Sequence, residues 1–482
     1  MAGPTLSSPD IPNSPRVAEL DGALDKIGVT RSHHTIIFLI LIGCLFDSFE
    51  QNAIGLVGPL LKQQWGLSAT DIGLLNTITF ASAAIGRIVS GLVADRYGRR
   101  VMLSLDLLLF TLGAGICALA PDLTVMAIGR AIVGFGLGGE IAIAVTMLAE
   151  FCSSKFRGTA VGLVNVGAGG MGNFLAPAFG LLVFTLFPGE NSWRWLFFCL
   201  MLPALLGAFY RRYIPETPRF LLSRHKIAEA NQVLARLASG KLSGPAPQGQ
   251  AWISDDGKRE QAAPVKVRSM EIFQGALARR TLPLCIAIWM TYGAQISVLT
   301  LMPTILVSLG YTMSKSLLFT MVMQSGSLLG AIAASAFGFH LPRKRVLTAG
   351  AIGACLAALT IGFLAKNIVL ILAAGAVFQF FVLLLNTTIW IFAPELYPTR
   401  VRAFGTAFIL ATGTAAGAFM PLVAGRLFDA FGLAGVFGMI AAMYGIFTLA
   451  VRTVPETYGK SPDAPLQDDA PEAPVQAVAA RS

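Results

Sequence analysis

Residues 35–61 read TIIFLILIGCLFDSFEQNAIGLVGPLL. A helix needs about 20 predominantly apolar residues to cross the hydrocarbon core of a bilayer, and this run exceeds that. It reads as a membrane span, but it carries two carboxylates, Asp47 and Glu50, near its middle. Each charge at the centre of a spanning helix costs roughly 2.5–3.5 kcal/mol on insertion scales. Two such residues in one span call for a functional reason.

The same pattern extends along the chain. Of 482 residues, 55% are hydrophobic and only 13% charged, against about 25% charged in soluble domains. The charges collect in short clusters between long apolar runs. The sequence therefore predicts an all-α membrane protein with twelve transmembrane helices. They lie at about 35–61, 72–94, 101–120, 123–149, 158–187, 194–214, 281–307, 316–340, 346–365, 368–392, 403–428 and 433–454. The expected organisation is an N-terminal tail (1–34), a six-helix bundle (35–214), a polar central loop (215–280), a second six-helix bundle (281–454) and a C-terminal tail (455–482). The start of the chain is polar and acidic, unlike a cleavable signal peptide. Segment 243–250 and the last 25 residues read as disordered.

Lys and Arg set the expected orientation. With both termini on one side, the loops and span ends there hold 29 of the 36 basic residues, and the opposite loops hold only Lys62, Arg194, Lys315 and Lys366. That bias places both termini and the central loop in the cytoplasm, with the bacterial inner membrane as the expected location. It also accounts for the net charge of +10 without nucleic acid. The six cysteines (44, 117, 152, 199, 285, 355) form no C-x-x-C, which argues against a disulfide framework and a zinc site. Neither a nucleophile elbow nor a Walker loop is present, so an enzyme is not expected.

The two halves repeat. EFCSSKFRGTAVG at 150–162 and ELYPTRVRAFG at 395–405 each place Arg seven residues after Glu (Glu150/Arg157 and Glu395/Arg402). IPETPRF at 214–220 is answered by VPETYGK at 454–460. Six spans, a loop and six related spans are the mark of duplicated transporter folds, whose substrate site lies near the midplane between halves.

GLVADRYGRR (91–100), RAIVGFGLGGE (130–140), PETPRFL (215–221) and PELYPTRVRAFG (394–405) together resemble the landmarks of the major facilitator superfamily. Within it the chain looks like the metabolite:proton symporters for aromatic acids, niacin and other organic acids. The acidic pair of DSFE at 47–50 and the phrase GFGLGGE carry that likeness. The resemblance implies that Glu50 is the protonation site and works with Arg130. It also implies a gating role for Asp95 with Arg96, Arg99 and Arg100, and for Glu150/Arg157 and Glu395/Arg402. Two departures stand out: GFHLPRKR at 338–345 lacks the Asp of DRYGRR, and Arg87 stands where a small residue is expected.

Five charges lie well inside spans: Asp47, Glu50, Arg87, Arg130 and Glu140. At about 1.5 Å per residue, Arg130 and Glu50 fall roughly 10 and 16 Å from the outer end, and Asp47, Arg87 and Glu140 roughly 21–26 Å. Glu50 is thus expected to face Arg130, with Asp47, Arg87 and Glu140 in a deeper layer. Acids outnumber the base in that layer, which favours a proton on one of them. Asp106 reads as a satisfied acid near a helix end. Gly134, Gly136, Gly138 and Gly139 read as close helix packing. The second half contributes Tyr292, Gln295, Gln379 and Asn386, polar groups in apolar walls as in a small-molecule site.

The expected protein is a secondary transporter that imports a small organic, aromatic or carboxylic acid by proton symport. Proton coupling is assigned to Glu50, Asp47, Arg130 and Glu140. Substrate contact is assigned to Arg87, Arg130, Tyr292, Gln295, Gln379 and Asn386. Expected partners are a small-molecule organic anion, protons and the lipid bilayer, with the chain acting as a monomer and with no metal or cofactor. A proton-driven exporter and a non-transporting metabolite receptor remain as alternatives.

Overall fold

A computed structural model describes residues 15–243, 251–254, 269–337 and 341–458. The disorder expected at 244–250 and beyond 458, and His340, lie outside the described residues. Among those described, eleven helices are long and apolar enough to cross a membrane. In the first half the helices are α1 (Pro15–Ile27), α2 (Arg31–Trp65), α3 (Ala69–Tyr97), α4 (Arg99–Leu119), α5 (Leu123–Phe151), α6 (Ser154–Asn165), α7 (Asn173–Leu186), α8 (Ser192–Cys199) and α9 (Pro203–Tyr213). Then come α10 (Pro218–Ser223), α11 (Ile227–Ser239), α12 (Gly275–Ser308), α13 (Met313–Phe337), α14 (Arg343–Leu359), α15 (Ile368–Glu395) and α16 (Thr399–Thr453). α16 runs for 55 residues but breaks at Gly432 (φ 62, ψ −147). At about 1.5 Å per residue it would exceed twice the 30 Å hydrocarbon thickness. It is two spanning arms joined at Gly432, and counting them separately gives twelve.

Local chemistry sets the span ends. Gly66 ends α2 in the left-handed region (φ 67, ψ 26), a conformation that glycine reaches without strain. Two residues later Ser68 and Asp71 form a capping box at the start of α3, which satisfies donors the helix leaves open. Asp122 and Asn367 cap α5 and α15 by accepting from Val125 N and Leu370 N, at 2.9 and 2.8 Å.

The fifth span is α6, a π-helical segment over Val166–Gly172, and α7. The VGAGGMG sequence has little side chain to resist the wider turn, which frees carbonyls from regular pairing. Ser48 of α2 donates to one of them, Ala168 O, at 2.8 Å. Asn52 donates to Asn173 Oδ1 at 2.9 Å. These bonds hold the acid-bearing first span against the fifth.

The glycines of α5 allow close packing on two sides. A Cβ on Gly134 or Gly138 would collide with the carbonyls of Thr79 or Ala83 on α3, and one on Gly136 would meet the backbone of Asp106 and Phe110 on α4. Gly86 of α3 sits against the Phe135 backbone in return.

The segments read as tail and loop contain short helices. α11 buries Ile227, Ala230, Val233, Leu234 and Leu237 along one face. Thr30 and Ser32, at the start of the first span, donate to Leu237 O and Arg236 O at 2.7 and 3.0 Å. We call this side of the molecule the loop face.

On the opposite face the halves meet backbone to backbone. Gly55 abuts the Leu299 carbonyl, Gly73 abuts Pro421, and Gly425 abuts Ala69. Asn76 donates to Thr300 across the same seam. Asp429 accepts from Ala69 N (3.3 Å), Thr70 N (3.0 Å) and Thr70 Oγ1 (2.7 Å). A carboxylate from the second half thus sits on the N-terminus of α3, where free N–H groups and the helix dipole favour negative charge.

Candidate transport site and gating networks

Glu50 and Arg130 form an ion pair in which neither side chain is exposed. Arg130 also donates through Nε to Thr79 Oγ1 at 3.0 Å and through Nη2 to Glu50 O at 3.3 Å. Isolated charges in such a place would be very costly, so the pair depends on both partners and on the extra hydrogen bonds. Removing the charge of one partner, as protonation of Glu50 does, leaves the other buried without compensation.

Arg87 turns to the second half and to the backbone of α5, and not to the acids with which the sequence grouped it. Its Nε donates to Gly138 O at 3.3 Å, and its Nη1 to Thr414 Oγ1 at 2.6 Å and Leu410 O at 3.5 Å on the other half. Rise per residue gives a height and not a direction; the tight packing of Gly86 on Phe135 sets which way α3 is turned. Among the described residues no carboxylate lies within ion-pair distance of Arg87, and its Nη2 has no hydrogen-bond partner. Arg87 lines a cavity between the halves with Gln51, Thr79, Phe80, Tyr292 and Thr414. The cavity volume is about 20 Å³, room for about one water molecule. The cavity is contracted in this structure.

Asp47 and Glu140 are both buried, each keeps a carboxyl oxygen without a hydrogen-bond partner, and neither forms an ion pair among the described residues. Asp106 corrects its sequence reading as a satisfied helix-end acid. It lies two turns into α4, fully buried, accepting from Ser90 Oγ at 2.9 Å while its Oδ2 has no partner. The signal that placed it there was in α5: the glycines at 136 and 139 let α4 and its carboxyl come close.

In the second half Asn386 donates to Gln295 Oε1 at 2.5 Å. Gln379 is fully buried, and neither of its amide atoms has a hydrogen-bond partner. Tyr292 packs with Phe80 and Ile296. Of the residues assigned to substrate contact, Arg87 and Tyr292 meet in the cavity. Arg130 is occupied by Glu50, and Gln295 and Asn386 by each other.

The loop face carries two related polar networks. In the first half Arg99 pairs with Asp95 at 3.0 Å and with Glu150 at 3.5 Å. Thr217 donates to Glu150. Arg157 bonds Ala149 O at 2.9 Å and lies 3.7 Å from Asp21, so Glu150 and Arg157 turn to different partners. Arg96 packs over Tyr97 and Arg100 donates to Arg211 O. In the second half Arg343 pairs with Glu395 at 3.0 Å, Thr457 donates to Glu395 at 2.6 Å, and Arg402 donates to Tyr397 O at 3.1 Å.

Each network is closed by an acid that was not singled out from the sequence. Glu216 accepts from Arg99 N (3.0 Å) and Arg100 N, at the N-terminus of α4. Glu456 accepts from Arg343 N (3.1 Å) and Lys344 N (3.0 Å), at that of α14. The repeated PET triplet was the available signal: its Glu caps the helix and its Thr donates to the Glu of the repeated Glu/Arg pair in its own half, Glu150 or Glu395. Burial raises the pKa of Glu216, opposed by the N–H groups of Thr217, Arg100 and Arg99. Burial likewise pushes Cys152, beside this network, up to about 11.

Two halves built of membrane-length helices, an ion pair buried between helices and a small cavity on the seam are the arrangement of a membrane transporter that works by alternating access. The chain belongs to the family described as Sugar (and other) transporter, which it matches over residues 34–464. It is 28% identical over 448 residues to the niacin transporter NiaP of Acinetobacter baylyi, covering 92% of this chain and 98% of that protein. It is 29% identical over 403 residues to a gallate transporter of Pseudomonas putida, covering 81% and 85%. To the 4-hydroxybenzoate transporter PcaK of A. baylyi it is 26% identical over 399 residues, covering 78% and 81%. Its fold matches the xylose transporter XylE of E. coli, in a partially occluded inward-open conformation, with a TM-score of 0.72. That match has 19% identity and covers 89% of this chain and 99% of XylE.

Proposed function

We propose that the protein imports a small aromatic carboxylate together with protons across a bacterial inner membrane, with the loop face and both termini in the cytoplasm. The observation that carries the substrate class is Arg87, a cation on the inter-half cavity with no carboxylate partner among the described residues. A substrate carboxylate supplies the missing charge, and Phe80 and Tyr292 supply apolar surface for a ring. The names of the relatives support the class: niacin, gallate and 4-hydroxybenzoate each join a carboxyl group to an aromatic ring. The excess of Lys and Arg on the loop face supports the orientation.

Glu50 carries the coupling proton. Its pair with Arg130 belongs to the contracted state with a closed opposite face. A proton arriving at Glu50 from outside neutralises the acid and frees Arg130. The substrate enters with its carboxylate on Arg87, and the halves rock about the site. The networks around Arg99–Glu150 and Arg343–Glu395 part to open the loop face. Proton and substrate leave to the cytoplasm, and Glu50 returns to Arg130.

Uptake of radiolabelled benzoate, nicotinate and 4-hydroxybenzoate into proteoliposomes tests this reading. An inward proton gradient drives accumulation of at least one of them by the native chain, and Arg87→Gln slows its initial uptake at sub-saturating substrate by roughly ten- to a hundredfold. Uptake that is indifferent to the gradient, or intact in Arg87→Gln, overturns the reading.

A further inference from the structure

A second cavity, of about 610 Å³, lies away from the seam at the loop-face end of α14. Its wall includes Lys344, Arg345, Thr348 and Ile352 of α14, with Glu456 and Tyr458 from beyond the end of α16. Glu456 is the acid on this wall, and its charge is already met. Its Oε1 accepts from Arg343 N, Thr457 N and Tyr458 N at 3.1, 3.1 and 3.2 Å, and its Oε2 from Lys344 N at 3.0 Å. Glu456 thus occupies the N-terminus of α14, and what is left for a ligand is side chains. Among the described residues, neither the Lys344 ammonium nor the Arg345 guanidinium has an acid or another hydrogen-bond acceptor.

The first half provides the comparison. Glu216 accepts from Arg99 N and Arg100 N at the start of α4, as Glu456 does from Arg343 N and Lys344 N at the start of α14. In the first half the cations have protein partners. Arg99 pairs with Asp95 and Glu150 and lies over the Phe220 ring, and Arg100 donates to Arg211 O. The residue that follows is Val101, where the second half has Arg345. Lys344 and Arg345 therefore present two unmatched charges where the first half has one tied cation and one apolar side chain.

Deeper along the same face α14 turns apolar. Arg345, Ala349, Ile352 and Leu356 are spaced by four, three and four residues, which sets them on one side of a helix. Ile352 and Leu356 are 45% and 60% exposed, and in a spanning helix such surface faces acyl chains. Arg345 to Leu356 is about 16 Å along the axis, roughly half the 30 Å hydrocarbon core. A ligand with a negative head and a hydrocarbon chain matches the whole face. A free anion would match its head end alone.

We propose that this groove binds an anionic phospholipid, with Lys344 and Arg345 on its phosphate, the Thr348 hydroxyl at the level of the ester oxygens, and one acyl chain along Ile352 and Leu356. Cations clustered at the end of a spanning helix attract anionic headgroups. A zwitterionic lipid brings the same phosphate, but its ammonium group finds no available acid, because Glu456 is taken. The bound lipid braces α14 beside the pair of Arg343 and Glu395. The site is independent of the symport reading, so either can fail alone.

The test is native mass spectrometry of the full chain in detergent, titrated with phosphatidylglycerol or with phosphatidylcholine of the same acyl chains. Each Lys or Arg near anionic headgroups contributes roughly fivefold in binding, so two contribute about thirtyfold. The native chain holds one phosphatidylglycerol tighter than phosphatidylcholine by about that factor. Lys344→Gln with Arg345→Gln removes the preference, and Arg345→Val, which copies Val101, removes about fivefold of it. Arg211→Gln with Arg212→Gln takes the same charge from the exposed end of α9 and keeps the preference. Equal binding of the two lipids by the native chain, as when acidic residues beyond 458 fill the groove instead, overturns the proposal. So does a preference that survives Lys344→Gln with Arg345→Gln, or one that falls equally in the α9 pair. Inorganic phosphate separates the sources. At millimolar concentration it leaves the lipid bound; if it displaces the lipid, the site takes a free phosphate and the lipid assignment fails. Should the variants fail to fold, a photoactivatable phosphatidylglycerol crosslinks to the native chain between positions 345 and 356. Adducts confined to other helices contradict the site.

Discussion

Replacing Arg87 with Gln removes one positive charge from the cavity wall and leaves the neighbouring side chains in place. Arg87 has five N–H donors. Three contacts occupy Nε and Nη1, to Gly138 O, Leu410 O and Thr414 Oγ1, and Nη2 is left for a carboxylate. A hydrogen bond to a charged partner is worth about 1.5–3 kcal/mol. At about 1.4 kcal/mol per tenfold, the loss is roughly ten- to a hundredfold in affinity. The assay is equilibrium binding of radiolabelled benzoate to purified protein, with benzamide as an uncharged competitor of the same shape. Native protein prefers the acid; in Arg87→Gln the acid weakens by that factor while the amide changes little, so the preference collapses. Arg87→Lys recovers only part of it, because an ammonium lacks the planar fork of the guanidinium. If acid and amide weaken equally, or neither weakens, Arg87 does not read the carboxylate.

Gly138→Ala places a methyl group on the Ala83 carbonyl and forces α3 from α5; overpacking of this kind costs about 1–3 kcal/mol and lowers the melting temperature in detergent, whereas Gly91→Ala, with open space around it, does not. Asp429→Ala removes the cap that the second half places on α3. Cap losses of about 0.5–2 kcal/mol shift the equilibrium toward an open opposite face by roughly two- to thirtyfold, seen as a longer spin-label distance between positions 62 and 315. Glu216 has its pKa raised by burial in the folded protein. Its contribution to stability is therefore full below the ordinary glutamate value of about 4.3 and is lost as pH rises through the higher folded value. Thermal unfolding of Glu216→Gln across that window shows a smaller decline with pH than the native chain.

The membrane fold was legible because hydrophobic run length and Lys/Arg bias act one span at a time. So was the height of Glu50 against Arg130, since a helix rises by a constant amount per residue. What escaped depends on helix rotation and on packing between spans. Arg87 was grouped with the acids by its height, but α3 turns it toward α16. Asp106 looked like a helix-end acid until the glycines of α5 drew α4 close. Glu216 and Glu456 stood in plain repeats, yet their partners are backbone N–H groups, which a sequence does not display.

Proton-coupled accumulation tests the central claim most directly. Proteoliposomes holding the native chain or Glu50→Gln are given an inward gradient of one pH unit, and steady-state benzoate, nicotinate and 4-hydroxybenzoate are measured. One proton per anion supports about tenfold accumulation, since one pH unit is worth about 1.4 kcal/mol. The native chain approaches or exceeds that ratio for its substrate and loses it with a protonophore. Glu50→Gln equilibrates the same substrate without concentrating it. Accumulation by Glu50→Gln with native pH dependence, or net outward movement of substrate in the native chain, contradicts the account.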